Sequence, residues 1–248
     1  MTDGKLFIYN QADSNLEEYI KYKGGNTNIT HIAYNKKNKC LVITRSDANI
    51  ELLYEDGSYK GISYLKDYTA QNIDKTINQV FMADDVAYLS TNYGFSVLDI
   101  QGREIKESGM FNKKFNSICF LGNNLYASTE EGIRVADMNT NIMDWENWKK
   151  LEVSSLYKGS DYQFKDEDIR NIVVFKDKLH FLYPDSAVYV MESPEIVNGM
   201  LKGAKPSKMY IADNGDLILL NASRFWDYQD LNSSKSFDLT SLVYVIPN

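Results

Sequence analysis

Acidic residues come in close pairs along this chain: Glu17-Glu18, Asp84-Asp85, Glu130-Glu131 and the run Asp166-Glu167-Asp168. Glycoside chemistry uses two carboxyl groups facing one pocket, one of them with a raised pKa. These pairs do not carry that signature. Asp84-Asp85 occupies a turn that other copies of the same pattern fill with Asn or Lys, and Glu130-Glu131 stands beside Gly132, so both read as solvated turn acids. Histidine occurs only as His31 and His180, with no His-x-x-x-His or Cys-x-x-Cys spacing. A zinc site wants three or four closely spaced ligands, so no metal is expected. Cys40 and Cys119 lie inside apolar stretches without the electropositive setting of a thiolate nucleophile, and they read as core residues rather than a disulfide pair. No Gly-x-Ser-x-Gly elbow or phosphate-cradling glycine loop occurs. No catalytic residue and no cofactor is expected, and the chain reads as a non-enzyme.

A second set of polar residues recurs with a period. Thr30-His31, Asn78-Gln79, Asn116-Ser117 and Arg170-Asn171 each sit between two apolar anchors. The anchored segments are Ile29–Tyr34, Ile77–Met82, Phe115–Phe120 and, in a degraded copy, Ile169–Val174. Each is followed by a short polar turn and an apolar strand beginning near Leu41, Val86, Leu125 or Leu179, with a fifth such strand at Leu217. The copies are spaced by roughly 40 to 50 residues, the period of a four-stranded propeller blade. Period-2 alternation and turn residues such as Asn35-Lys36-Lys37-Asn38, Gly122-Asn123-Asn124 and Asp213-Asn214-Gly215 point to antiparallel strands, and helix should be nearly absent.

The fold expected is all-β: a β-propeller of four-stranded antiparallel blades, about five of them visible, forming one domain over residues 1–248. In such a fold each first strand lines the central channel, so one residue of each recurring polar pair should face it. His31, Asn78, Gln79, Asn116, Ser117, Arg170 and Asn171 are the expected ligand-binding residues at the channel mouth. Trp145 and Trp148, flanked by Asp144, Glu146 and Lys149 in a blade's outer strand, are either a partner-binding patch or the packing of that blade's edge. The polar stretch from Glu152 to Asp168 reads as a loop between blades. Residues 5–23 read as third and fourth strands and Met209–Leu220 as first and second strands, so the termini could share one blade. Leu242–Ile246 reads as a further third strand, which overfills such a blade. A piece of a larger, seven-bladed propeller, cut at both ends, is therefore favoured over a closed ring of five.

Composition narrows the partners. The formal net charge is −7 and the basic residues are dispersed, so the cationic face that nucleic acid requires is missing. No apolar run approaches the roughly 20 residues of a membrane-spanning helix, and Met1–Lys5 has neither the basic start nor the apolar stretch of a signal peptide.

Five strings carry a more specific resemblance: Ile29–Asn35; Asn49–Leu53 with Asp56-Gly57; Asp74–Asn78; Ala87–Thr91 with Gly94; and Asn147-Trp148-Lys149. Over about residues 5–155 the chain resembles the N-terminal β-propeller of the PorZ family, cell-surface components of the type IX secretion system of Bacteroidetes. The resemblance implies an exported protein at the cell surface or in the periplasm. It implies a role among the protein partners of a secretion complex, assisting a sortase that attaches anionic lipopolysaccharide to cargo. Family members begin with a signal peptide and an additional strand pair, and continue into a second propeller and a sorting domain, none of which is in this sequence. The alternative is the ligand-sensing periplasmic propeller of hybrid two-component systems, which usually carries more Trp-x-Gly-Thr strings than are found here.

Overall fold

A computed structural model describes residues 6–10, 15–18, 22–69, 72–157, 165–183, 187–193, 196–200, 206–212, 215–221, 224–230 and 233–238. The chain divides into two compact units, Met1–Phe115 and Asn116–Asn248.

The first unit opens with a strand pair, β1 (Phe7–Asn10) and β2 (Asn15–Glu18). A four-stranded sheet follows, built from β3 (Ile29–Asn35), β4 (Cys40–Arg45), β5 (Ile50–Tyr54) and β6 (Tyr59–Ile62). After a single helical turn, α1 (Tyr64–Asp67), a second sheet comprises β7 (Ile77–Ala83), β8 (Val86–Thr91), β9 (Gly94–Asp99) and β10 (Glu104–Met110).

The next sheet begins at the unit boundary with β11 (Phe115–Leu121), β12 (Asn124–Thr129), β13 (Gly132–Asp137) and β14 (Lys149–Leu151). A second helical turn, α2 (Val153–Leu156), leads to β15 (Asn171–Phe175), β16 (Lys178–Tyr183), β17 (Ala187–Ser193) and β18 (Ile196–Met200). The last sheet is β19 (Lys208–Ile211), β20 (Leu217–Leu220), β21 (Arg224–Asp230) and β22 (Ser233–Asp238). All five sheets run in sequence order, first strand to fourth, and every register given for them is antiparallel.

One alternative falls here. The last sheet has its own third and fourth strands, β21 and β22, so it is complete without strands lent by residues 5–23. The arithmetic of a shared blade does not hold, because the polar spacing of Phe225, Trp226 and Tyr228 hid a strand. Leu242–Ile246 lies outside the described residues. In the stretch from Glu152 to Asp168 the described residues include α2 and a 3-10 turn at Asp166–Asp168. Buried Asp166 ties the two together by accepting the Ser154 N–H at 2.7 Å and the Ser154 hydroxyl at 3.0 Å.

In the first two sheets the middle strands are buried on both faces. In β4, Val42, Ile43 and Thr44 are consecutive and fully buried; in β9, so are Phe95, Val97 and Leu98 with Ser96 between them. Strict alternation therefore fades in the strands that neighbours cover on two sides. In the first unit one cluster joins both sheets, with Leu52 and Ile50 packed with Leu89 and Leu98. In the second unit Val173, Leu182 and Val188 join Met209, Leu217 and Leu219. Two turns are built alike: Thr91 and Thr129 each donate a side-chain hydrogen bond to the carbonyl of the glycine three residues on, Gly94 or Gly132. Both glycines have positive φ, and a Cβ on Gly94 would stand 2.1 Å from the Gly109 carbonyl oxygen.

The first sheet departs from that device. Where its repeats carry Thr91 and Thr129, β4 ends in Arg45, whose side chain is fully buried. Its Nε donates to Glu51 Oε1 at 2.9 Å, Nη2 to the Tyr22 hydroxyl at 2.5 Å, and Nη1 to the Thr27 carbonyl. Glu51 also accepts the Tyr22 hydroxyl and, at 2.8 Å, the Gly25 N–H. Burial opposes ionisation of Glu51, but the bonds from Arg45, Tyr22 and Gly25 outweigh it and hold its carboxyl below the ordinary carboxylate range. The network pins residues 22–27 onto the first sheet. Removing one partner of a buried ion pair strands the other charge, so Glu51→Ala is expected to cost about 3 kcal/mol or more in urea denaturation. The double variant Arg45→Met/Glu51→Leu is expected to be clearly less destabilised than Glu51→Ala.

Candidate functional site

The recurring polar pairs fall at a built irregularity. In the first sheet the register steps between Ile29 and His31, leaving Thr30 as the extra residue, and in the second between Ile77 and Gln79, leaving Asn78. A bulge at the same repeat position in both sheets re-aims the neighbouring side chains. Thr30 and His31 converge on one hydroxyl, Thr44 Oγ1, at 2.8 and 3.1 Å. Asn78 Nδ2 donates to Asn92 Oδ1 and to the Phe115 carbonyl, both at 2.8 Å. Gln79 and Asn116 are half-buried.

In the second unit the pattern turns inward. Ser117 has no exposed surface; its hydroxyl lies 3.1 Å from Ser128 Oγ and accepts the Ile172 N–H of the next sheet at 2.9 Å. It therefore joins β11 to β15 and does not present a donor to solvent. Arg170 sits one residue before β15 and is exposed, held by the Glu167 carbonyl and by Asp168 at 3.6 Å. Asn171 is half-buried, and its Oδ1 has no hydrogen-bond partner among the described residues. Much of the polar capacity read from the sequence is thus used within sheets or between neighbours.

The tryptophans separate. Trp148 is 2% exposed and donates its indole N–H to the Ile142 carbonyl at 2.8 Å, so it belongs to the packing of its sheet. Trp145 lies in a 3-10 turn, not a strand, with the Arg134 guanidinium 4.8 Å from its ring centre. Arg134 in turn pairs with Glu131 at 2.7 Å. Among the acids, Asp85 takes the Lys37 ammonium and Asp168 accepts the Tyr183 hydroxyl at 3.1 Å. Burial raises the pKa of Asp166, with the neighbouring carboxyl of Glu152 adding to the effect. Among the described residues no group of three or more His, Cys, Asp or Glu is placed to hold a metal, and no helix is long and apolar enough to cross a membrane.

His180 is 1% exposed in β16; its Nδ1 lies 3.0 Å from the Lys178 carbonyl, and Nε2 has no hydrogen-bond partner among the described residues. Burial holds its pKa below the ordinary histidine value. Sequence reasoning missed Arg45 and Glu51. The available signal was a break in the repeat, since Arg45 stands where the second and third copies carry Thr91 and Thr129.

Four-stranded antiparallel sheets repeated in tandem, each in sequence order from first strand to fourth, define a β-propeller. The PorZ structure from Porphyromonas gingivalis, described as an essential bacterial surface component of the type IX secretion system, superposes with a TM-score of 0.78 at 23% identity. That match covers 95% of this chain and 30% of PorZ, so the chain spans about a third of that protein's length. The extracellular domain of a putative one-component system from B. thetaiotaomicron is similar at TM-score 0.59 and 11% identity, covering 94% of this chain and 36% of that one. That of a putative hybrid two-component system from the same organism gives 0.55 and 14%, with coverages of 88% and 34%. No curated protein sequence matches the chain. The sequence model described as TSS9, PorZ, N-terminal beta-propeller domain matches residues 1–149, and the chain belongs to that family.

Two outcomes follow. Ser117→Ala leaves the buried Ile172 N–H unpaired and is expected to cost roughly 1–3 kcal/mol in denaturation. The folded pKa of His180 lies below its unfolded value near 6.5, so the stability it contributes is present above that value and is lost as pH falls through the folded pKa. The urea midpoint is expected to drop between pH 7 and pH 5, and His180→Leu should flatten that drop.

Proposed function

We propose that this chain is a single, non-catalytic propeller domain of an exported protein, presenting rigid loops within a type IX secretion complex at the cell surface. The observation that carries the reading is the family match over residues 1–149, supported by the likeness to PorZ, itself described as a surface component of that system. Rigid presentation suits the cross-links between sheets: Asn78 to the Phe115 carbonyl in one unit, Ser117 to the Ile172 N–H in the other. Such bonds hold neighbouring blades in one arrangement and leave the loops as the variable surface. The partners are proteins of the complex, together with the anionic lipopolysaccharide that is attached to cargo; no chemical step is assigned to the chain.

A sensor role is the second reading, favoured by the likeness to the extracellular domains of the one-component and hybrid two-component systems. Deleting the gene in the producing bacterium distinguishes the two. The secretion role predicts that cargo fails to become anchored at the cell surface, measured by immunoblot of surface and medium fractions. Normal anchoring with an altered transcript profile would instead support the sensor.

A further inference from the structure

His180 stands at the seam between the fourth sheet (β15 to β18) and the last (β19 to β22). Strand register sets it opposite Val173 on one side and Val190 on the other, so the three share one face of the fourth sheet. Val173 belongs with Phe175, Leu182 and Val188 to the apolar cluster that takes in Met209, Leu217 and Leu219 of the last sheet. The imidazole is buried, edge-on to Phe175 with ring centres 5.6 Å apart. One nitrogen is used and one is not. Nδ1 faces the Lys178 carbonyl at 3.0 Å, which requires it to carry the proton, and Nε2 has no hydrogen-bond partner among the described residues.

With the ring neutral, an unpaired acceptor nitrogen in an apolar seam is tolerated; a second proton is not. It creates a buried N–H without an acceptor and a full charge facing apolar side chains. The surrounding titratable groups do not supply that acceptor. On the fourth sheet Lys178 and Glu192 pair with each other, and the Lys176 ammonium lies 5.4 Å from the Phe175 ring centre. From the last sheet Tyr228 enters the cluster, with Lys208 opening β19 and Asp216 one residue before β20. None of these accepts from Nε2. Glu192 favours the imidazolium and Lys178 opposes it, but burial outweighs both.

We propose that His180 is an acid-sensitive latch: a proton on Nε2 parts the fourth sheet from the last and uncovers the apolar side chains between them. Met209, Leu217 and Leu219, closed off with the ring neutral, then face solvent. The opening is local. The second sheet, which carries no histidine, stays closed over the same pH range, so acid loosens one seam of the second unit without unfolding the first. Such a latch goes beyond rigid presentation of loops, since it gives the chain two states.

Hydrogen–deuterium exchange read by mass spectrometry at pH 7 and pH 5, with exchange times scaled for the intrinsic rate, tests the latch. Amides of β15, β16, β19 and β20 are expected to lose protection roughly tenfold or more at pH 5, while those of β8 and β9 keep theirs. His180→Leu, which cannot take up the proton, is expected to abolish the difference. Because leucine also gives up the bond to the Lys178 carbonyl, His180→Gln serves as a second variant with an uncharged polar side chain. In the unaltered protein, the His180 ring signal in a histidine-labelled NMR titration is expected to shift with the same midpoint as the loss of protection, with His31→Gln assigning the two rings. Equal losses in β8 and β16, no loss by pH 5, a loss that survives in both variants, or separate midpoints would each overturn the latch.

Discussion

A sheet with two apolar faces has to be covered on both, and the rest of this structure follows from that constraint. Val42 and Ile43 are consecutive in β4 and point to opposite faces, yet neither meets water. A sandwich buries one face of each sheet; only stacking against a neighbour on either side buries both. The stacking also dictates where small polar side chains are tolerated. Thr44, Ser90, Ser96, Ser117 and Ser128 are fully buried within the strands, where a hydroxyl fits without the volume of a larger polar group. Several of them bridge neighbouring strands or sheets.

The same constraint explains why the charged network of Arg45, Glu51 and Tyr22 sits where it does. At that corner the threonine turn is replaced, and the segment preceding the first sheet is drawn over it. A buried guanidinium is tolerated because its donors are met by a carboxylate, a phenol and a carbonyl. Leu6 and Tyr22 pack there against Ile43 and Leu53, so the charged and apolar parts of the corner close together. Specific attachment of the entering chain, more than net stability, is what such a network supplies.

For function, the first strands divide by end. At one end their polar pairs are drawn into bulges and bonds to neighbouring strands, and Ser117 is withdrawn from solvent altogether. At the other end, the turns after β3 and β7 are tied together, by Asn35 to the Asp84 carbonyl and by Lys37 to Asp85.

The recurring anchors and turns were enough to read the repeat, the antiparallel strands and the membership of a propeller family, because strand period and turn chemistry are local properties. They also showed where the repeat degrades, at Ile169. Tertiary structure alone decided the rest. Whether Asn78 or Ser117 meets water depends on the sheet beside it, and whether Trp148 is surface or core depends on how the chain folds back after Ile142. Strand β21 gave a weak signal because Phe225, Trp226 and Tyr228 are its only apolar residues, even though Trp226 and Tyr228 alternate with Asp227 and Gln229. The tie from Asn35 to the Asp84 carbonyl joins residues 49 positions apart, and a contact at that range belongs to the packing of two blades, not to either segment alone.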